Sequence, residues 1–305
     1  MTPTSTPGGL VMFEGERPRL TGLAYRITGS ITDSEDVVQE AWIRWAAQDA
    51  GTVDNPAGWL TTVTSRLALD RLRAQRRRRE VYVGPWLPDP VPTARSVEET
   101  AELAESLTLG FLVLLDSLGP LERVAFLLVD VFGEPYSVIA EVLGRSEPAC
   151  RQLTSRARRK MHSARPDGRS RGPSPASAEL LVQLMDSVLA DDEERALSLL
   201  DPDVVLTSDG GPARRAARRP VVGAKRVRQL LTGGWRLFGF KSAPSRDQLP
   251  RARLLDVNSS PSLVLDSPEG PIVITGEAVD GRITSIWVRL NPHKCAALED
   301  PPPIV

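Results

Sequence analysis

Residues 151–162 read RQLTSRARRKMH, and one side of that stretch carries the groups that read nucleic acid. At about 100° per residue, Arg151, Gln152, Ser155, Arg159 and His162 share a side, with Arg158 at its edge. Arginine donates two hydrogen bonds to a guanine edge, glutamine pairs with adenine, serine suits either, and arginine also holds phosphate. The plain alternative is a solvated helix. The opposite stripe, Cys150, Leu153, Ala157 and Met161 at steps of three, four and four, is the side expected to pack. Just upstream, Ser137 is expected to cap a helix carrying Ile139, Ala140 and Leu143, and Gly144 to end it in a left-handed conformation. Ser146 is expected to cap the basic helix, with Pro148 tolerated in its first turn. Helix, short turn and helix with a hydrogen-bonding cationic face is the pattern of a major-groove reader.

A second arginine-lined element is WLTTVTSRLALDRLRAQRRRRE. Arg66, Arg73, Arg76 and Arg77, with Thr62 and Ser65, are placed away from the Leu60/Val63/Leu67 stripe. With its hydroxyls, that face suits a backbone track plus base contacts on separated strands, beside the plain reading of a solvated arginine tail. A third element, DSEDVVQEAWIRWA, buries Val38, Ala41, Trp42 and Trp45 and turns Asp36, Gln39, Glu40, Ile43 and Ala47 the other way. Carboxylates one turn apart around an isoleucine suit docking on a basic protein surface, where charge steers and the apolar group anchors. An ordinary exposed face is the alternative.

These elements sit in a chain of 305 residues with a net charge of −1 and 26 prolines, long enough for two or three domains. The near-neutral total hides segregation. From Arg66 to Arg79 there are seven arginines against one aspartate, and from Arg151 to Arg171 eight basic residues against one acidic. Acid gathers at Glu98–Glu105 and Asp191–Glu194. That distribution favours two discrete cationic surfaces over a nonspecific polyanion binder. Two histidines and two cysteines leave little for zinc or a disulfide framework, so no metal and no cofactor are expected. No run of about 18 apolar residues and no leader-like start is present, so a cytoplasmic protein without membrane contact is expected.

The expected organisation is multidomain: two all-α helical domains followed by an α+β domain. Residues 10–83 form the first helical domain, with helices ending near Gly29, running from about Asp33 to Ala47, and starting after Asn55-Pro56. Residues 84–97 are a proline-rich linker, expected to be an extended spacer. Residues 98–165 form the second helical domain, with helices expected over Thr100–Ser117 and Leu121–Phe132 before the opening pair. After a linker at 166–177, residues 178–295 carry a helix with Leu181, Leu184, Met185 and Val188. A strand at Val204–Thr207 and a helix around Lys225–Phe238 follow. Strands at Arg253–Val257, Ser262–Asp266, Ile272–Val279 and Ile283–Leu290 are expected to form an antiparallel meander, the last two joined at Asp280-Gly281. Residues 296–305 are a tail.

In order and spacing these segments resemble an extracytoplasmic-function (ECF) bacterial sigma factor, the initiation subunit of RNA polymerase. DSEDVVQEAWIRW resembles its region 2 core-binding helix, NPAGWLTTVTSRLALDRLRAQRR its minus-ten helix, and EPYSVIAEVLGRSEPACRQLTSRARRKM its region 4 helix-turn-helix. The rest resembles the subgroup carrying a SnoaL-like cone domain. WLPDP matches the subgroup's linker signature. SDGGPARRAARRPVVG resembles its Asp-Gly-Gly-Gly-Lys segment, with Pro212 and Ala213 in place of the third glycine and the lysine. NPHKC resembles Asn-Pro-Asp-Lys-Leu, with His293 and Cys295 departing.

The resemblance implies a non-enzymatic protein with core RNA polymerase and promoter DNA as partners. Asp36, Gln39, Glu40 and Ile43 would bind core polymerase. Arg66, Arg73, Arg76 and Arg77 would hold the melted minus-ten strand. Arg151, Gln152, Ser155, Arg158 and Arg159 would read the minus-thirty-five element. The family tends to place asparagine where Arg66 stands, so base preference does not transfer there. Trp86, Leu87 and Pro88 of the linker would meet Asp209, Gly210, Gly211, Asn291 and Pro292 of the extension, which would modulate activity. Arg214 and Arg215 could supply charge near the missing lysine. A small-molecule ligand for the extension stays open. The alternative is a helix-turn-helix transcription regulator whose SnoaL-like domain binds a ligand or carries catalysis.

Overall fold

Local capping chemistry sets the first helices. The computed structural model describes residues 7–48, 53–92, 107–163, 175–234 and 251–298. Helix α1 (Pro7–Thr28) ends at Gly29, whose φ of 69° suits a residue without a Cβ. The Ser30 side chain caps α2 (Ile31–Ala46), and Asn55 Oδ1 accepts from the Gly58 amide to start α3 (Pro56–Arg79). Helix α4 (Leu109–Leu115) follows, then α5 (Pro120–Phe126), a π-helical turn over Leu127–Val131, α6 (Tyr136–Leu143) and α7 (Glu147–Ser163). Of the helix expected over Thr100–Ser117, residues 107–108 and 116–117 are turns or bends and only Leu109–Leu115 is helical, while 100–106 lie outside the described residues, as do 93–97 and 166–174 of the two linkers.

The chain divides into two compact units, one made of Met1–Glu80 with Leu114–Ala164, the other of Val81–Val113 with Arg165–Val305. In the first, Leu20, Leu23, Ile27, Ala41, Leu60 and Leu72 are fully buried. So is Arg123, whose guanidinium donates to Asp116 Oδ1 at 2.6 Å and to the Arg26 carbonyl at 3.1 Å. Burial of a cation is tolerable only when it is paired in this way.

The second unit begins with residues 81–92. It continues through α8 (Pro175–Leu189), α9 (Glu193–Leu199), β1 (Leu200–Asp209), β2 (Val221–Val222) and α10 (Ala224–Gly233). Strands β3 (Ala252–Val257), β4 (Ser260–Leu265), β5 (Ile272–Val279) and β6 (Arg282–Arg289) and the short helix α11 (Pro292–Cys295) complete it. Residues 235–238 of the expected Lys225–Phe238 helix, and the tail from 299, are not among the described residues. The sheet order is β2-β1-β6-β5-β4-β3. The meander β3 to β6 is antiparallel as expected, and Asp280 and Gly281 both take positive φ in its last turn. Strand β1 joins β6 in parallel, pairing Leu206 with Ile286 and Ser208 with Val288.

Alternation along the strands fills both faces of the sheet. Leu263, Leu265, Ile272, Ile274, Ile286 and Val288 pack with Leu181, Leu184 and Met185 of α8. On the opposite face Val264 and Val273 pack with Cys295 and Leu298, and Trp287 packs with Leu87 and Leu109.

Several local expectations change. Trp42 of α2 and Val63 and Leu67 of α3 are only half-buried, and Val37 and Leu69 are buried in their helices. Helix α6 starts at Tyr136 after Pro135 and has no side-chain cap, so Ser137 lies inside its first turn instead of capping it. On α7 the buried set is Cys150, Thr154, Ala157 and Met161, with Leu153 only half-buried. Thr154 is accommodated because its hydroxyl donates to the Cys150 carbonyl one turn back.

Candidate nucleic-acid, polymerase and linker interfaces

Gly144, with φ 60° and ψ 43°, ends α6 and turns the chain into α7, where the Ser146 hydroxyl accepts from the Ala149 amide. That turn exposes Arg151, Gln152, Ser155, Arg158 and Arg159 along one helix. Arg151 lies 4.6 Å from the Tyr136 ring centre and donates to Glu147 at 2.6 Å. Arg158 donates through Nε and Nη2 to Asp130 at 3.0 and 2.8 Å. That hydrogen bond holds Arg158 more firmly charged than usual. Exposed pairs of this kind are worth only about 0–1 kcal/mol, so phosphate or a base edge can replace the carboxylate. Arg159 also lines a groove of about 550 Å³ with Arg156, Lys160, Ser117 and Ser163. Arg156 and Lys160 were missed in the sequence, although the basic density of the stretch contained them.

The acidic face of α2 is one wall of a groove of about 360 Å³ lined by Asp36, Val37, Gln39, Glu40, Ile43, Leu67 and Arg71. Ile43 is 55% exposed, an apolar centre in a polar rim. Asp36 pairs with Arg71 at 3.3 Å and Glu40 with Arg44 at 3.0 Å. The structure thus brings all four proposed docking residues together and adds Leu67 and Arg71 from α3.

The arginines of α3 are not equivalent. Arg66 Nη2 donates to the Glu141 carbonyl at 2.5 Å, and Arg73 pairs with Asp70 at 3.2 Å. Arg76 is half-buried and donates to the carbonyls of Leu118 and Asp116, whereas Arg77 is exposed. Thr62 and Ser65, expected on the open face, are 4% and 0% exposed. Both are enclosed, so hydroxyl contacts to bases are removed from the reading of this helix.

The third cluster joins linker and extension within the second unit. Asp209, at the end of β1, is 1% exposed. Its Oδ1 accepts from the Tyr82 hydroxyl at 2.5 Å and from the Gly211 amide at 3.1 Å. Its Oδ2 accepts from the Leu87 amide at 2.9 Å and from Lys294 Nζ at 2.8 Å. Lys294 also donates to the Leu87 carbonyl and stands 3.3 Å from the Trp86 ring centre, a close cation–π contact. Asn291 Nδ2 donates to the Tyr82 oxygen at 3.2 Å, while Asn291 Oδ1 accepts from the His293 amide and caps α11, which Pro292 opens. Gly211 has φ 59°, and a Cβ there would collide with Asn291 Nδ2, so glycine is required on both counts.

Of the linker residues, Leu87 and Pro88 are buried and Trp86 is half-buried. Residues 86–92 are therefore held against the sheet instead of standing free as a spacer, and an isolated bridge pairs Pro92 with Val257. Burial, then the Asp209 charge, push the Tyr82 hydroxyl well above its ordinary value. Burial also pushes the Cys295 thiol up to about 12. The cation paired with Asp209 is Lys294, from the NPHKC segment. Arg214 is committed elsewhere, to Glu269 at 3.0 Å and to Ser267. Tyr82 and Lys294 were missed as site residues. Lys294 lay inside the NPHKC segment, but no pattern in the sequence pointed to Tyr82.

Residues 12–78 match the Sigma-70 region 2 family and residues 109–161 the Sigma-70 region 4 family. Over 293 residues the chain is 44% identical to the ECF RNA polymerase sigma factor SigJ of Mycobacterium tuberculosis, covering 92% of this chain and 91% of that one. It belongs to the ECF family of RNA polymerase sigma factors. This ECF sigma factor is also 35% identical to the probable ECF sigma factor SigI of the same species, over 73% of its own length and 76% of the relative's. The crystal structure of M. tuberculosis SigJ superposes with a TM-score of 0.72 at 34% identity, covering 96% of this chain and 99% of that one. The helical regions followed by a sheet-containing α+β domain are the architecture expected of an ECF sigma factor with a SnoaL-like extension. Family membership decides against the stand-alone helix-turn-helix regulator. Among the described residues no helix is long and apolar enough to cross a membrane.

Proposed function

We propose that this sigma factor directs core RNA polymerase to its promoters through the three faces described, under the control of its own extension. Asp36, Gln39, Glu40 and Ile43 dock on a basic surface of core polymerase, with Ile43 as the apolar anchor. Arg151, Gln152, Ser155, Arg158 and Arg159 enter the minus-thirty-five major groove. Arg66, Arg73 and Arg77 track the separated minus-ten strand. Arg76 joins them once it leaves the carbonyls it now serves.

The extension acts on the linker between the two promoter-reading regions. The observation that carries this is the Asp209 carboxylate, which accepts from linker residues Tyr82 and Leu87 and from Lys294 while almost fully buried. We read the extension as regulatory and not catalytic, working in the cytoplasm where core polymerase is found.

The test is run-off transcription reconstituted with core polymerase, comparing the full chain with Asp209→Asn and Lys294→Gln. A change in open-complex yield at equal core affinity is expected. Equal transcription by all three proteins would remove the regulatory role of the cluster.

A further inference from the structure

From Gly210 to Gly234 the extension carries seven arginines and lysines and no carboxylate. Two of the seven have structural work. Arg214 is buried against Glu269, and Arg228 pairs with Glu193 at 2.6 Å and with Asp191. The other five, Arg215, Arg218, Arg219, Lys225 and Arg226, are exposed, and none forms an ion pair among the described residues. Asp201 and Asp203, on the strand they border, make no ion pair with them either.

The segment is laid out as a strip. The Ala217 amide donates to the Ser208 hydroxyl, Leu206 pairs with Val221, Val205 with Val222, and the Gly223 amide donates to the Val204 carbonyl. The chain thus runs antiparallel along the outer edge of β1. From Ser208 to Val204 is four residues, roughly 13 Å at about 3.3 Å per residue. Arg215, Arg218 and Arg219 lie at one end and Lys225 and Arg226 at the other.

A single small anion cannot engage cations spread over that length. A duplex can, since each of its strands presents a phosphate for about every 3.4 Å of helix axis. Charges on an edge strand also discourage edge-to-edge pairing, but here the edge strand itself is Val221 and Val222 and the cations flank it. Lys225 and Arg226 moreover stand in the first turn of α10, which has no acidic residue there and no side-chain cap. Cations at that helix end oppose the backbone dipole, so helix stability does not explain them.

We propose that this strip is a further DNA contact, binding the phosphate backbone of duplex DNA without reading its sequence. The inference rests on the sigma-factor reading, because promoter DNA held by the other regions is the polyanion tethering brings into reach. Its place beside the linker, where the Arg218 backbone lies against Gly84, puts phosphate binding next to the Asp209 cluster.

The test uses the full chain assembled with core polymerase and two mixed-sequence duplexes of unrelated sequence, with affinity measured across a salt series. The triple variant Arg215→Gln, Arg218→Gln, Arg219→Gln should weaken binding to both duplexes alike. It should also flatten the dependence of log affinity on log salt by about 0.9 for each phosphate no longer neutralised, about 3 in all. Lys225→Gln with Arg226→Gln should flatten it independently, by about 2. Arg195→Gln with Arg282→Gln, exposed charges outside the strip, should leave it unchanged. An unchanged slope in both strip variants, or an equal change in the control pair, overturns the proposal. So does weaker core binding without DNA, which would give the strip an acidic protein partner. If the wild-type chain fails to bind core polymerase, the sigma-factor reading falls first, and that outcome is read separately from the salt slopes.

Discussion

Asp209 is a single carboxylate on which four donors converge, and Lys294 is one of them at 8% exposure. Breaking a buried pair by removing one partner costs about 3–5 kcal/mol, because the other charge stays desolvated. Asp209→Asn should therefore lower the stability of the second unit by that order, measured by chemical denaturation. The raised Tyr82 hydroxyl gives the same cluster an alkaline limit. A group whose folded value is raised contributes stability fully present below its unfolded value, about 10, and lost as pH rises beyond it. Stability of the second unit should fall above about pH 10 in the wild type and less steeply in Tyr82→Phe. Asp116 has the opposite sign. Burial alone would raise its carboxyl, but the Arg123 and Arg79 guanidiniums outweigh burial and hold it below the ordinary range. Its contribution is complete above about pH 4 and disappears as pH falls through the lowered value. Acid denaturation of Asp116→Asn should begin from a lower plateau and show a shallower limb.

At the scale of elements, α7 and α2 each present one face whose parts have separable roles. Arg151→Ala should relax minus-thirty-five discrimination by about 1–3 kcal/mol if the guanidinium reads a base. A promoter-variant binding series checks this, and an unchanged base preference would remove Arg151 from base reading. Ile43→Glu should cost about 2 kcal/mol or more in core-polymerase affinity with no loss of helix content, since the side chain is already exposed. Helical faces were legible in the sequence because their period is local. The Cys150, Ala157 and Met161 stripe and the open Arg151, Gln152 and Ser155 face need no knowledge of partners. Where the partner matters, legibility fails. Thr62 and Ser65 lie off the apolar stripe of α3, yet that helix is enclosed on more than one side. The meander was readable from alternation and from Asp280-Gly281. The parallel seam of β1 with β6 was not, because nothing in either strand names a partner some 80 residues distant.

At the scale of the molecule, two cores formed from interleaved stretches of chain should melt as two cooperative transitions, with Asp209→Asn shifting one and Asp116→Asn the other. Calorimetry checks this, and a single transition displaced equally by both variants would contradict it. The interleaving was hidden from sequence reading, since residues 84–97 have the composition of a free spacer. Only the matched WLPDP segment hinted that they had a binding site of their own. That site is assembled late. Leu87 is bound by Asp209, 122 residues further on, and by Lys294, 207 residues further on. Contacts of such high sequence separation form slowly, after local helices are in place. During synthesis both promoter-reading regions leave the ribosome before the strand and turn that secure the segment between them. Each newly made molecule therefore passes through a period in which its connector is unrestrained, and restraint arrives only with the last part of the sheet.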